Sequence, residues 1–383
     1  MTHFNEAIEY FRKEFGKEDF VLKVPCRVNI IGEHIDYCGA TVLSFASEPV
    51  MHFIVSKSEE KTCRIFAYDR TETELISHET TRAANSWAGY LIRILKQLKQ
   101  NYGLEAGANI LFTSNIPVGA GMSSSSALCC GFASAMNELY DLGISVKDIV
   151  KLGSIAEHEQ GLIGGLMDQY TIVNGLKGHA LYLDCGNLRH RAVPLDLDRS
   201  RIILINSHVK HELVDSEYND RRAQLNRALA ELNALSSDKK KILELDISDL
   251  DVLDKGMSKK RLRHVITEIE RVHKAKEAVE NKDLQLLGKL MTASHNSLMS
   301  DYEVSCEEID FLVRHLMKKE NILGARIMGG GFGGCVICLV GEAFDPQVLE
   351  TIFMQYREHY NLQAQLIEVL PVDGIGKVNA DYS

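Results

Sequence analysis

The sequence predicts an α+β chain of two lobes that share a cleft. Three observations carry that prediction. Apolar runs of strand length are interspersed with longer amphipathic stretches along all 383 residues, with no internal repeat. Two glycine-rich clusters, at 119–121 and 329–334, each lie beside an apolar run that reads as a strand. A seam near residues 185–205 divides the chain, so the lobes are expected at 1–195 and 196–383, a length ample for two domains.

The elements follow in order. Residues 4–15 place Phe4, Ile8, Phe11 and Phe15 near one stripe of a short helix. Residues 21–31 read as a strand interrupted by Pro25, and 42–45, 51–55 and 63–68 as further strands. Trp87, Tyr90, Leu91, Ile94, Leu95 and Leu98 mark the apolar side of a helix over 84–100. A strand at 108–112, a glycine-serine turn, a helix to about Tyr140 and a helix over 146–160 come next. Strands are expected at 180–183 and 201–205. Residues 216–279 turn charged and mostly helical, with breaks near 236–237 and 248–249. Helices at 284–299 and 306–319, a strand at 335–340 and a last strand or strand pair within 360–370 complete the reading.

The bulk numbers exclude some classes. The chain is 45% hydrophobic and 25% charged with a net charge of −10, an ordinary globular composition and a poor one for a nucleic-acid scaffold. No uninterrupted apolar span reaches membrane length. The first fifteen residues mix acids with bases and lack a signal core, which predicts a cytoplasmic protein with no membrane partner. Nine scattered cysteines in a chain of this size argue against a disulfide framework. Cys335 and Cys338 have redox-pair spacing but lie inside an apolar strand, so they are expected to be buried thiols. No segment carries a coiled-coil repeat, and a monomer or weak homodimer is expected.

Chemistry is concentrated in four places. In Val118-Gly119-Ala120-Gly121-Met122-Ser123-Ser124-Ser125-Ser126, small residues let the backbone curl around an anion and the serines can open a helix. Phosphate at such a helix start meets free N–H donors and the positive end of the helix dipole. In Arg27-Val28-Asn29-Ile30-Ile31-Gly32-Glu33-His34-Ile35-Asp36-Tyr37-Cys38-Gly39, the polar groups of Glu33, His34 and Asp36 suit the hydroxyls of a polyol, or else make a salt-bridged turn. Asp168 follows the glycine-rich run 161–165 and either caps a turn or acts. Glu157, one helix earlier, offers an oxygen to a magnesium ion, which oxygen ligands and phosphate favour together.

These stretches resemble the kinase superfamily of galactokinase, homoserine kinase, mevalonate kinase and phosphomevalonate kinase, and within it the galactokinase family. The sugar signature is matched at 27–37, the phosphate loop at 119–127, the turn before the catalytic aspartate at 164–169 and the third motif at 329–335. Asn206-Ser207-His208-Val209-Lys210-His211 with Ser216-Glu217-Tyr218, and Ser300-Asp301-Tyr302-Glu303-Val304-Ser305-Cys306, add two more matches. The resemblance implies a two-lobed small-molecule kinase fold with its site between the lobes. It implies ATP and Mg2+ as cofactors and a monosaccharide as partner, with D-galactose phosphorylated at its C1 hydroxyl.

The same resemblance assigns roles by position. Asp168 would contact the C1 hydroxyl as candidate base, and Arg27 would lie beside it and the transferred phosphate. Glu33, His34, Asp36, Gly165 and Tyr218 would form the sugar site, with Glu33 toward C6. Gly119, Gly121, Ser123, Ser124, Ser125, Gly330 and Gly331 would hold the nucleotide. Ser125 and Glu157 would stand near magnesium. The chain departs from the family's pattern at Cys26, at Cys38 in place of asparagine, and at Ser126, which lengthens the serine run. Cys38 is a weak hydrogen-bonding substitute. Alternatives therefore stay open: a kinase for galacturonate, galactosamine or L-arabinose, or a regulator that binds sugar and ATP without transfer. Glu33 would repel a second carboxylate at C6, which favours a neutral hexose.

Overall fold

A computed structural model describes residues 2–209 and 214–378. Helix α1 (Thr2–Phe15) precedes β1 (Phe20–Ile31), β2 (Thr41–Lys57), β3 (Cys63–Ala67) and β4 (Glu72–Ile76). Then follow α2 (Ala88–Tyr102), β5 (Ala108–Ser114), α3 (Ser124–Tyr140), α4 (Val146–His158) and α5 (Met167–Asn174). Strands β6 (His179–Asp184), β7 (Arg189–Pro194) and β8 (Arg201–Asn206) lead to α6 (Val214–Leu235), α7 (Met257–Glu280), α8 (Leu284–Ser297) and α9 (Glu307–Leu316). The chain continues through β9 (Ile322–Met328), β10 (Cys335–Val340), α10 (Val348–Tyr360), β11 (Gln365–Glu368) and β12 (Gly376–Lys377).

Two sheets organise these elements. The larger has eight strands, with the order β12-β1-β2-β5-β3-β4 and a branch in which β6 joins β2 and β7 joins β6. The smaller is antiparallel, in the order β11-β8-β10-β9. The larger sheet thus takes its strands from 20–194 and from the chain's far end, while the smaller begins at Arg201.

Period-two alternation assigns the faces of the larger sheet. Val21, Ile54 and Leu111 point outward and are covered by Ala7, Ile8 and Phe11 of α1. Leu22, Phe53, Val55, Ile110 and Phe112 point inward. One apolar core runs from these residues through α2, α3 and α4 to the smaller sheet. Helix α7 packs on β1, β2 and β7 of the larger sheet and on α8, which in turn packs on β9 of the smaller one. Cys335 and Cys338 are free and buried within β10.

Several expectations change. The strands expected at 42–45 and 51–55 are one strand, β2, because Glu48 and Pro49 form a bulge between the Ser47–Cys26 and Val50–Pro25 pairs. The turn expected to carry Asp168 closes into the first turn of α5. The helix expected over 84–100 starts at Ala88 and ends where Gly103 adopts φ +69°. Strands β4, β7, β9 and β12 and helices α5 and α10 had no periodic signal strong enough to separate them from turns. Lys210 and His211 of the matched motif lie outside the described residues.

Helix α8 lies so close on β9 that backbone meets backbone. A Cβ on Gly288 would sit 2.2 Å from the Leu323 carbonyl oxygen. Helix propensity alone favours Gly288→Ala by about 0.5–1 kcal/mol. Overpacking against a rigid carbonyl costs about 1–3 kcal/mol and wins. Gly288→Ala should therefore lower the free energy of unfolding in a urea titration, and a gain would refute this packing.

Candidate active site

Strand β1 delivers Arg27 to the base of a cavity of about 500 Å³. The loop after β1 supplies Glu33, His34 and Asp36 to one wall. The turn before α3 contributes Gly119, Gly121, Ser123, Ser124 and Ser125, and the β9–β10 connection contributes Gly330 and Gly331. Gly165, Asp168, Glu157 and Tyr218 complete the lining. Every site residue expected from the sequence thus borders a single space.

The two glycine loops abut. A Cβ on Gly121 would reach the Met328 carbonyl oxygen at 3.0 Å, and one on Gly329 would reach the Gly121 oxygen at 3.1 Å. Ser123 takes φ +58° ahead of α3 and gives that helix no side-chain cap. Its hydroxyl instead donates to Asp168 Oδ2. No side-chain cap engages the first N–H groups of α3, and its first residues, Ser124, Ser125 and Ser126, line the cavity, as an anion site requires.

Arg27 and Asp168 form a two-pronged ion pair. Nε donates to Oδ1 at 2.6 Å and Nη2 to Oδ2 at 2.9 Å, and Nη1 donates to the Gly121 carbonyl. The guanidinium is buried, so both its neighbours and its direction are fixed. Asp36 packs against Gly165, where a Cβ would lie 2.1 Å from Oδ2. Burial, with the charge of Asp168 adding to it, pushes the Asp36 carboxyl up to about 7.

Glu33 is held from the opposite sheet. Its Oε1 accepts from Arg326 Nη1 at 3.1 Å and from the Gly329 N–H at 2.8 Å. Arg326 is fully buried and also donates to the carbonyls of Asn29, Ile30 and Ile327 at 2.5, 2.8 and 2.6 Å. Sequence reasoning passed over Arg326, although a lone charge in the apolar run 322–328 is a signal in itself. Tyr37 and Tyr302, which fall in matched stretches without an assigned role, bring their hydroxyls 2.6 Å apart behind His34.

The His34 ring lines the cavity beside Glu33 and Asp36. Both nitrogens have protein partners, Tyr37 OH at 3.1 Å and the Gly330 carbonyl at 3.2 Å. The ring presents its faces to Tyr218 and Tyr302, each with centroids 5.0 Å away.

Glu157 fits a divalent cation. Ser125 Oγ donates to it at 2.5 Å, Ser126 Oγ at 2.9 Å, and Gln169 Nε2 also donates. No cation of the protein pairs with it among the described residues, and burial pushes its carboxyl up to about 7. A hard, oxygen-seeking ion would supply the missing charge. Among the described residues no group of three or more His, Cys, Asp and Glu side chains is placed to hold a metal.

The galactokinase galactose-binding signature matches residues 9–57, the GHMP kinases N terminal domain 89–176 and the GHMP kinases C terminal model 275–361. A galactokinase of Thermotoga maritima is 38% identical over 358 residues, covering 93% of this chain and 99% of the relative. A galactokinase of Streptococcus mutans is 35% identical, covering 92% and 93%. The chain belongs to the galactokinase family. A crystal structure of Lactococcus lactis galactokinase complexed with galactose superposes with a TM-score of 0.92 at 28% identity, covering 98% of this chain and 100% of the other. Methanococcus jannaschii mevalonate kinase, at 19% identity and a TM-score of 0.64, shares the fold. This galactokinase-family protein is an ATP-dependent phosphotransferase acting on a sugar. No helix among its described residues is long and apolar enough to cross a membrane.

Two outcomes test the electrostatics. Above about pH 4.5 the unfolded chain releases the Glu157 proton, while the folded chain keeps it until about pH 7. The contribution of Glu157 to folding stability therefore falls across that window. Glu157→Gln should match the wild type near pH 4.5 and exceed it by about 3 kcal/mol at pH 8 without ligand, in denaturant titrations. A gap that does not change with pH would refute the burial account. Arg326→Met strands a buried carboxylate and should cost about 3–5 kcal/mol of unfolding free energy in the same assay; a loss below ~1 kcal/mol would remove Arg326 from its structural role.

Proposed function

We propose that the protein transfers the γ-phosphoryl group of ATP to the C1 hydroxyl of D-galactose. The observation that carries this reading is the Arg27–Asp168 pair, fixed at 2.6 and 2.9 Å between two glycine loops and facing Glu33 and Asp36. The division of labour follows from position. The N–H groups at the start of α3 and the loop at 329–334 receive the phosphates. Asp168 orients the incoming hydroxyl and takes its proton, with the hydroxyl competing against Ser123 for Oδ2. Arg27 lies beside the reacting oxygens and offsets the charge that grows on them. Phosphoryl transfer is chiefly positioning and charge neutralisation, which these groups can supply. Ser125 and Glu157 would hold Mg2+, whose charge further offsets that of the phosphates.

Glu33 supports galactose over a uronic acid, by a different argument from simple repulsion. Arg326 already compensates its charge. No hydrogen bond among the described residues engages its second oxygen, Oε2. A C6 hydroxyl can donate there; a C6 carboxylate has no proton to donate and would leave a buried acceptor unpaired. The galactose complex of the Lactococcus lactis relative favours the same sugar.

Incubation with ATP, Mg2+ and each of galactose, glucose, galactosamine, galacturonate and L-arabinose should give the fastest turnover with galactose. Phosphorus NMR should place the new phosphate at C1. Asp168→Ala should lower turnover roughly 10²-fold or more. A preference for galacturonate would overturn the role given to Glu33, and unchanged turnover in Asp168→Ala would overturn that of Asp168.

A further inference from the structure

Donor counting around His34 gives a polarity that distances alone do not. A carbonyl oxygen only accepts, so Nε2, 3.2 Å from the Gly330 oxygen, carries a proton. Burial pushes this imidazole down to about 3, so at neutral pH it holds one proton. Nδ1 is then an acceptor, and Tyr37 OH, 3.1 Å away, donates to it. The Tyr37 proton is spent there. At the 2.6 Å contact between the phenols, Tyr302 is therefore the donor and Tyr37 the acceptor.

The result is one directed chain, Tyr302 to Tyr37 to His34 to the Gly330 carbonyl. It joins three segments far apart in sequence. Tyr302 ends the π-helical turn Leu298–Tyr302 that follows α8. Arg221 Nε donates to the Tyr302 carbonyl at 3.0 Å, which fixes that turn from α6. Two residues on, the Val304 carbonyl accepts from the Phe332 N–H at 2.7 Å. The second glycine loop is thus tied at Gly330 through the chain and at Phe332 directly.

We propose that Tyr37 and Tyr302 are positioning residues that lock His34 in its Nε2–H tautomer, and that this tautomer clamps the glycine loop at 329–334 against the sugar-side loop. If the tautomer switches, a lone pair on Nε2 faces the lone pairs of the Gly330 oxygen and the clamp opens. The loop's role at the phosphates rests on the function proposed above; the tautomer does not.

The test has a spectroscopic arm and a kinetic arm. Protein labelled with 15N-histidine, without nucleotide or sugar, gives the tautomer from two-bond 15N–1H correlations, with His34 assigned by the signal lost in His34→Gln. The wild type should show Nε2–H. Tyr37→Phe should shift His34 toward the other tautomer and raise KM for ATP roughly 3- to 10-fold, with a smaller change in kcat, as loss of one neutral hydrogen bond predicts. Tyr302→Phe leaves the Tyr37 proton free to reach His34, so its KM change should stay under about twofold. Kinetics use whichever sugar proves to be phosphorylated. An Nδ1–H tautomer in the wild type overturns the polarity. A Tyr302→Phe effect equal to that of Tyr37→Phe does the same. A tautomer shift in Tyr37→Phe with KM for ATP unchanged overturns the clamp. Should Tyr37→Phe fail to fold, the wild-type tautomer and Tyr302→Phe still decide. A wrong sugar assignment leaves the spectroscopic arm untouched.

Discussion

One buried guanidinium holds the two sheets in register at the site. Arg326 leaves β9 and donates to the carbonyls of Asn29 and Ile30 on β1 and to the carboxylate of Glu33 just beyond it. Those carbonyls cannot stay unpaired in a dry interior, and neither can the charge. The contact therefore fixes where β1 ends relative to the β9–β10 loop. Arg27 sits on the same strand, so the Asp168 pair inherits that placement. A lysine could not substitute, because an ammonium has three N–H donors on one atom, whereas Arg326 serves four acceptors, on Asn29, Ile30, Ile327 and Glu33, from a wider fork.

The electrostatics of the cavity are unbalanced in a way that fits its chemistry. Asp168 has Arg27 and Glu33 has Arg326. Asp36 and Glu157 have no such partner among the described residues, and both carboxyls are pushed up to about 7, chiefly by burial. Folding alone would not select buried carboxylates without counter-charges. A sugar offering hydroxyl protons to Asp36, and a hard cation beside Glu157, would satisfy both. Both carboxylates thus cost folding stability where they stand, a cost accepted at functional positions.

Much of the site was legible as short stretches with unusual chemistry. Glycine and serine at 119–126 mark an anion loop because few other residues permit close backbone approach. Glu33, His34 and Asp36 cluster within four residues, so their shared wall needs no folding to foresee. The fold was less legible. A bulge at Glu48-Pro49 hid the continuity of β2, and β9 and β12 are edge strands whose patterning is weak. Arg326 escaped notice because its partners lie nearly 300 positions away. The hydrogen bonds of His34 were beyond reach for the same reason, since Gly330 and Tyr302 approach it only in the folded chain.

What the sequence determined by itself is the kit of parts: two glycine loops, an arginine, four carboxylates and the α+β pattern that separates them. Residue type and local spacing suffice for that, because each part's chemistry is intrinsic. Only the tertiary structure decided which groups face one another. It alone paired Arg27 with Asp168 across 141 residues and Arg326 with Glu33 across 293, and turned the His34 ring toward a loop carbonyl. Hydrogen bonds and ion pairs act over a few ångströms, and the one-dimensional pattern carries no such distances.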